Sequence, residues 1–106
     1  MAKVSGGVLQ HTASISGVES APTTAADGIE AVKLTDAVLW FFSGGTSATI
    51  TFYAYDGAQD AWCAAGTASI TGSEVVIQQS AGDRMLAIIT THGGGTYKRS
   101  YQYLRE

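Results

Sequence analysis

From Ile29 to Arg105 the chain reads as short β-rich segments, AVLWFF, SATITFYAY, SEVVIQQ, RMLAIITT and TYKRSYQYL, parted by SGGT, YDGAQD, SAGD and HGGGT. Apolar or aromatic residues at alternate positions let a strand bury one face, and clusters of Gly, Ser and Asp supply the turns between strands. No stretch carries sustained helical spacing bounded by capping residues, so the sequence predicts an all-β chain. The expected architecture is a small antiparallel β-sandwich or jelly roll of six to eight strands with an extended N-terminal arm. Strand order does not follow from the pattern.

The expected body spans 27–106 and opens at the turn pair Asp27-Gly28, which leads into a first strand, IEAVKL. Residues Ala37 to Phe42 form a continuous apolar run, read as a strand buried on both faces, and Ser43-Gly44-Gly45-Thr46 reads as a hairpin turn after it. In the next strand Ala48, Ile50, Phe52 and Ala54 point one way and Thr49, Thr51, Tyr53 and Tyr55 the other. The triple glycine after His92 is expected to form a flexible hairpin turn.

A length of 106 residues suits one domain. With 45% hydrophobic and only 14% charged residues, few charges remain to discourage contact with other molecules, and a homo-oligomer is expected. A net charge of -3 argues against nucleic acid as a partner, because phosphate binding needs a concentrated excess of Lys and Arg. No apolar run approaches the roughly 20 residues that span a bilayer, so no membrane partner is expected, and MAKVSGGVLQHTAS contains no signal-peptide hydrophobic stretch. A single cysteine and the absence of Asn fit synthesis in a reducing cytoplasm without export.

Residues 1–26 differ from the rest: they are rich in Gly, Ser, Thr and Ala, hold Pro22, and lack aromatic residues. Such a segment buries too little apolar surface to order its own backbone. Yet Val4, Val8, Leu9, Ile15 and Val18 have no use in solvent, so the segment is read as an arm that becomes ordered against another subunit or partner, with a plainly disordered tail as the alternative.

Catalytic patterns are sparse. His11 lies in the arm, His92 opens a glycine turn, and no serine sits in a Gly-x-Ser-x-Gly elbow. Two histidines and one cysteine far apart offer no zinc-ligand spacing, and Asp56 and Asp60 within one loop are explained by turn chemistry more simply than by calcium. Gly93-Gly94-Gly95 lacks the Lys-Ser/Thr of a phosphate loop. Cys63, beside Trp62, reads as a small buried side chain. The expectation is a protein that is not an enzyme and uses no cofactor or metal.

Aromatic residues are more suggestive. Tyr97, Tyr101 and Tyr103 share one face of the last strand with Arg99 and Arg105, and Tyr53 and Tyr55 share a face of an earlier one. Tyr and Arg are enriched where proteins meet partners, so these residues are candidates for subunit contact, or for packing on an ordinary half-buried sheet. Sugar stacking on the same rings is the alternative, and Lys98, Arg99 and Arg105 also suit protection of an edge strand.

The run from Ala26-Asp27-Gly28-Ile29 through TITFYAYDG and Trp62 to the closing Tyr-rich strand resembles the small β-sandwich virion proteins of tailed bacteriophages, over most of residues 26 to 104. That resemblance implies a capsid decoration, neck or tail component, often oligomeric, made in the host cytoplasm and located in the virion, where it binds and stabilises neighbouring virion subunits. No functional residue is carried over from it. The other reading is a carbohydrate-binding module for host-surface glycans, using Trp62, Tyr53, Tyr55 or Tyr101.

Overall fold

A computed structural model describes residues 3–7, 14–31 and 35–105. Its strands are β1 (Lys3–Gly7), β2 (Ile29–Glu30), β3 (Thr35–Gly45), β4 (Ser47–Asp56), β5 (Ala61–Thr71), β6 (Glu74–Gln79), β7 (Arg84–His92) and β8 (Gly95–Arg105). They form two antiparallel four-stranded sheets, β1-β8-β3-β6 and β2-β7-β4-β5, packed as a β-sandwich. The all-β expectation holds.

The pairings nest, with β1 beside β8, β2 beside β7, β3 beside β6 and β4 beside β5. The chain is in effect one long hairpin, closed at the loop after Asp56, whose two arms run side by side and roll over into two layers. This is the jelly-roll strand order, the second of the two architectures expected.

Two turns expected to close hairpins do something else. β3 and β4 lie in different sheets, as do β7 and β8, so Ser43–Thr46 and Gly93–Gly95 carry the chain across the sandwich. Gly44 adopts φ +101, and a Cβ there would stand 2.7 Å from the Thr96 carbonyl oxygen. Thr46 N–H donates to the Gly94 carbonyl at 2.9 Å, and the Thr46 carbonyl accepts from Gly72 N–H at 2.7 Å. Three sheet-to-sheet crossings are thereby bonded together at one end. A turn sequence alone does not say whether the next strand returns beside the last or faces it across a core.

Between the layers lie Val38, Trp40, Phe42, Val76 and Tyr97 from the first sheet and Ala48, Ile50, Phe52, Ile70, Met85, Ala87 and Ile89 from the second. β3 is not buried on both faces as its apolar run suggested: Val38, Trp40 and Phe42 are 0–1% exposed, while Leu39 and Phe41 are only half-buried on the outer side. Alternation in β4 holds for Ala48, Ile50 and Phe52, then lapses near the loop, where Tyr55 is buried and Ala54 half-buried. Of the expected IEAVKL strand, Ile29 and Glu30 pair with Met85 and Arg84, and 32–34 lie outside the described residues.

The segment read as an arm is built into the body wherever it is described. β1 completes the first sheet along β8. Beyond Gly7, β8 would leave Tyr97 unpaired on that side; Ile15 takes its place, exchanging backbone hydrogen bonds with Tyr97 at 2.9 and 3.0 Å. Glu19 does the same for β7, its N–H donating to the Ile89 carbonyl at 2.9 Å and its Oε1 accepting from Ile89 N–H at 3.0 Å. The chain from Ile15 to Glu19 thus closes one side of the sandwich. The reason is backbone accounting: orphaned strand groups recruit the nearest peptide, however polar its side chains.

A candidate interaction surface

The opposite side, where β5 and β6 are the outermost strands, has no such strap among the described residues. In β6 the side chains of Val76 and Gln78 turn inward and are buried, while Val75 and Ile77 turn outward, 48% and 61% exposed. What fixes this phase is Gln78. Its Oε1 accepts from the Trp40 indole N–H at 3.0 Å, and its Nε2 donates to the Tyr53 carbonyl at 3.1 Å, so a buried amide with both ends satisfied bridges the two sheets.

Outward, Val75 lies opposite Phe41 and Ile77 opposite Leu39. These four form an apolar patch whose next neighbours across β3 are Ser100 and Gln102, with Ser43 and Ser73 at one end. Glu74 and Lys98 are the nearest exposed charges along these strands. A shallow depression over the patch is lined by Phe41, Ser43, Ser73, Glu74, Val75 and Ser100, and a second between the two strand edges by Phe52, Ala65, Gly66, Ile77 and Ser80. An apolar centre with a rim of hydroxyls, amides and one carboxylate is the composition of a contact surface.

The residues singled out from the sequence do not assemble into one surface. Tyr97, Arg99, Tyr101 and Tyr103 do share a face of β8, but it is the inner one: Tyr97 and Arg99 are 0% and 1% exposed, and Tyr101 and Tyr103 pack half-buried against the core. Tyr97 donates its hydroxyl to the Gly72 carbonyl at 3.0 Å and Tyr103 to that of Glu30 at 2.7 Å. Burial holds both phenols above their ordinary value of 10.0, with the Glu74 charge adding to the effect at Tyr97 and Tyr101 and Glu30 adding to it at Tyr103.

Tyr53 also packs against the core, and Tyr55 is buried at the β4–β5 loop, donating to Asp60; that hydrogen bond first, and burial second, raise its phenol above 10.0. The Tyr55 ring lies 5.3 Å from that of Trp62, whose indole N–H is held by the Thr24 carbonyl at 2.8 Å. Among the arm residues, Ile15 is buried in this chain's own core and Val18 is 65% exposed. Val4 lies in β1 opposite Leu104, and Val8 and Leu9 lie outside the described residues.

Polar groups considered for chemistry serve the fold. His92 accepts from Gly94 N–H at Nδ1 (3.0 Å), and its Nε2 stands 3.1 Å from the Ile15 carbonyl. Asp56 accepts from Ala58 N–H at 2.9 Å and from the Gln59 amide at 2.8 Å, and Asp83 from Gly57 N–H at 2.8 Å. Among the described residues no group of His, Cys, Asp or Glu is placed to hold a metal ion, and no helix is long and apolar enough to cross a membrane. Cys63, expected in the interior, is exposed, because β5 is an edge strand whose 63–67 stretch stands clear of the core.

Val75 and Ile77 were not distinguishable from the sequence. EVVIQQ offers apolar residues at both phases, and only the inward turn of a glutamine decides between them. The usable signal is that nothing after Glu74 in this strand is charged. Comparison with protein-family models, with characterised proteins and with solved structures finds no match.

Proposed function

We propose that this chain is a structural component of a virion of the tailed-bacteriophage type, a capsid decoration, neck or tail protein that binds and stabilises neighbouring subunits. The observation that carries the reading is the outer patch of Leu39, Phe41, Val75 and Ile77 on a rigid sandwich face. Jelly rolls serve both as virion subunits and as lectins. The patch favours the first use, since aliphatic side chains bury well against protein whereas glycans call for exposed rings, and Tyr53, Tyr55, Tyr97 and Tyr101 are engaged in packing. Weak contacts of this kind, repeated by particle symmetry, give firm attachment through avidity.

The test is incorporation. Full-length tagged protein produced in cells yielding the phage should be retained in purified particles, and Phe41→Ser should reduce retention without loss of fold. A chain that never enters particles, yet binds defined glycans on an array, would transfer the assignment to the carbohydrate-binding reading.

A further inference from the structure

A β-sandwich has four outer strands, and here three of them are poor templates for pairing. β2 has only two residues. β1 carries Lys3 and ends in Gly6-Gly7. β5 is interrupted: its register with β4 shifts between Thr51 and Tyr53, and Gly66 there adopts φ +120. Bulges, charges and brevity are the usual protections of an exposed edge. β6 has none of them beyond Glu74 at its start: its six residues run in unbroken register with β3, with no Pro, Gly or Lys.

We infer that β6 is an interface strand, and that its free edge pairs antiparallel with β6 of a second copy of this chain about a two-fold axis at Val76. The N–H and C=O groups along that edge, which no strand of this chain covers among the described residues, are spaced to pair in a row with another strand. The occupant is specified by self-complementarity. With Val76 opposite Val76 of the second copy, Val75 falls opposite the copy's Ile77 and Ile77 opposite its Val75, on the same outer face. Glu74 then meets Gln78 rather than another carboxylate.

Each apolar cross-strand pair continues the row begun by Phe41 and Leu39, so the patches of two copies merge into one band across a continuous eight-stranded sheet. A shift of one residue would set Val75 against inward-facing Val76 or Gln78 and break the match. Two-fold pairing of this kind is isologous and closes after two copies. It goes beyond the virion assignment and stands without it.

The experiment uses the full chain with the exposed Cys63 replaced by Ser. V75C protein is mixed with I77C protein under mild oxidation, and the disulfide-linked dimers are resolved by mass. In an equal mixture the V75C–I77C dimer should far exceed the share of about one half that random pairing gives, because only that pair is directly opposed. In parallel, sedimentation of the unmodified chain over a wide concentration range should show a monomer–dimer equilibrium that V75K/I77K abolishes, with its circular dichroism unchanged. The proposal is overturned by a mixed dimer at or below the random share of about one half, by a chain monomeric at all concentrations, or by a dimer that survives in folded V75K/I77K. Particle retention of V75K/I77K, measured separately, bears on the virion reading alone.

Discussion

Arg99 Nη1 lies 2.7 Å from Glu19 Oε1, joining the last strand of the fold to the segment that closes its side, 80 residues earlier in the chain. The same nitrogen donates to the Ala87 carbonyl at 2.9 Å, so one guanidinium ties the strap to both sheets. The Arg99 side chain has 0% exposure and that of Glu19 20%, so the pair is largely withdrawn from water.

Glu19→Ala should therefore destabilise the protein by about 2 kcal/mol, the scale expected for loss of hydrogen bonds to a charged group withdrawn from water. Chemical denaturation compared with the parent chain measures it. A loss within about 0.5 kcal/mol, as for an ordinary surface substitution, would show that the pair is dispensable.

Removal of residues 1–26 takes away β1, Ile15 and Glu19 together. A chain beginning at Asp27 should lose cooperative thermal unfolding, although the sequence alone suggested an independently folding body. Retention of a sharp transition near that of the full chain would contradict the structural role given to the strap.

Gly45 has no room for a side chain: a Cβ would stand 2.0 Å from Tyr97 Cε2 and 2.2 Å from its Cδ2, and the ring is fully buried. Gly45→Ala should cost about 3 kcal/mol or prevent folding, because overpacking forces ring and backbone to shift. Gly17, with nothing within 4 Å of its would-be Cβ, is the matched control and should tolerate Ala within about 0.5 kcal/mol.

Tyr55, Tyr97 and Tyr103 have phenols raised above 10.0 in the folded chain, so the native state holds these protons more tightly than the unfolded one. Their contribution is intact below pH 10 and is lost as pH rises from 10 through the folded values. Ultraviolet titration of tyrosinate should show delayed ionisation, with stability falling over the same alkaline range. A single ionisation midpoint near pH 10 for all the tyrosines, with the fold intact, would contradict the burial of Tyr97.

Much of this architecture was legible. Alternation in Ala48, Ile50 and Phe52 identified a core face, and Gly-rich interruptions marked the crossings, because strand period and turn chemistry are local properties. What was not legible depended on distant partners. Whether Gly44-Gly45 reverses the chain or sends it to the opposite layer is decided by Gly72 and Gly94, and the inward phase of β6 by Trp40 and the Tyr53 carbonyl. The tyrosine row of β8 was placed correctly on one face but left between packing and subunit contact, since Tyr and Arg serve equally as contact residues and, once paired, as core. The apolar patch escaped notice for the converse reason: exposed Val75 and Ile77 have the composition of interior residues.

The nested order of strands also sets the timing of assembly. Only β4 and β5 meet through a short loop; each further pair closes a longer stretch of chain, and β1 finds β8 last, across nearly the whole sequence. Loop-closure entropy makes the outer pairs wait for the inner ones, and topologies dominated by such distant pairings fold on the scale of milliseconds to seconds. During synthesis β3 and β6 can pair before β8 emerges, but the side of β3 that β8 will occupy stays open until Gly95–Arg105 has been made. The nascent chain therefore carries an additional unpaired strand edge while β4 to β7 are being made, and crowded translation is the stage at which this fold is most exposed to aggregation.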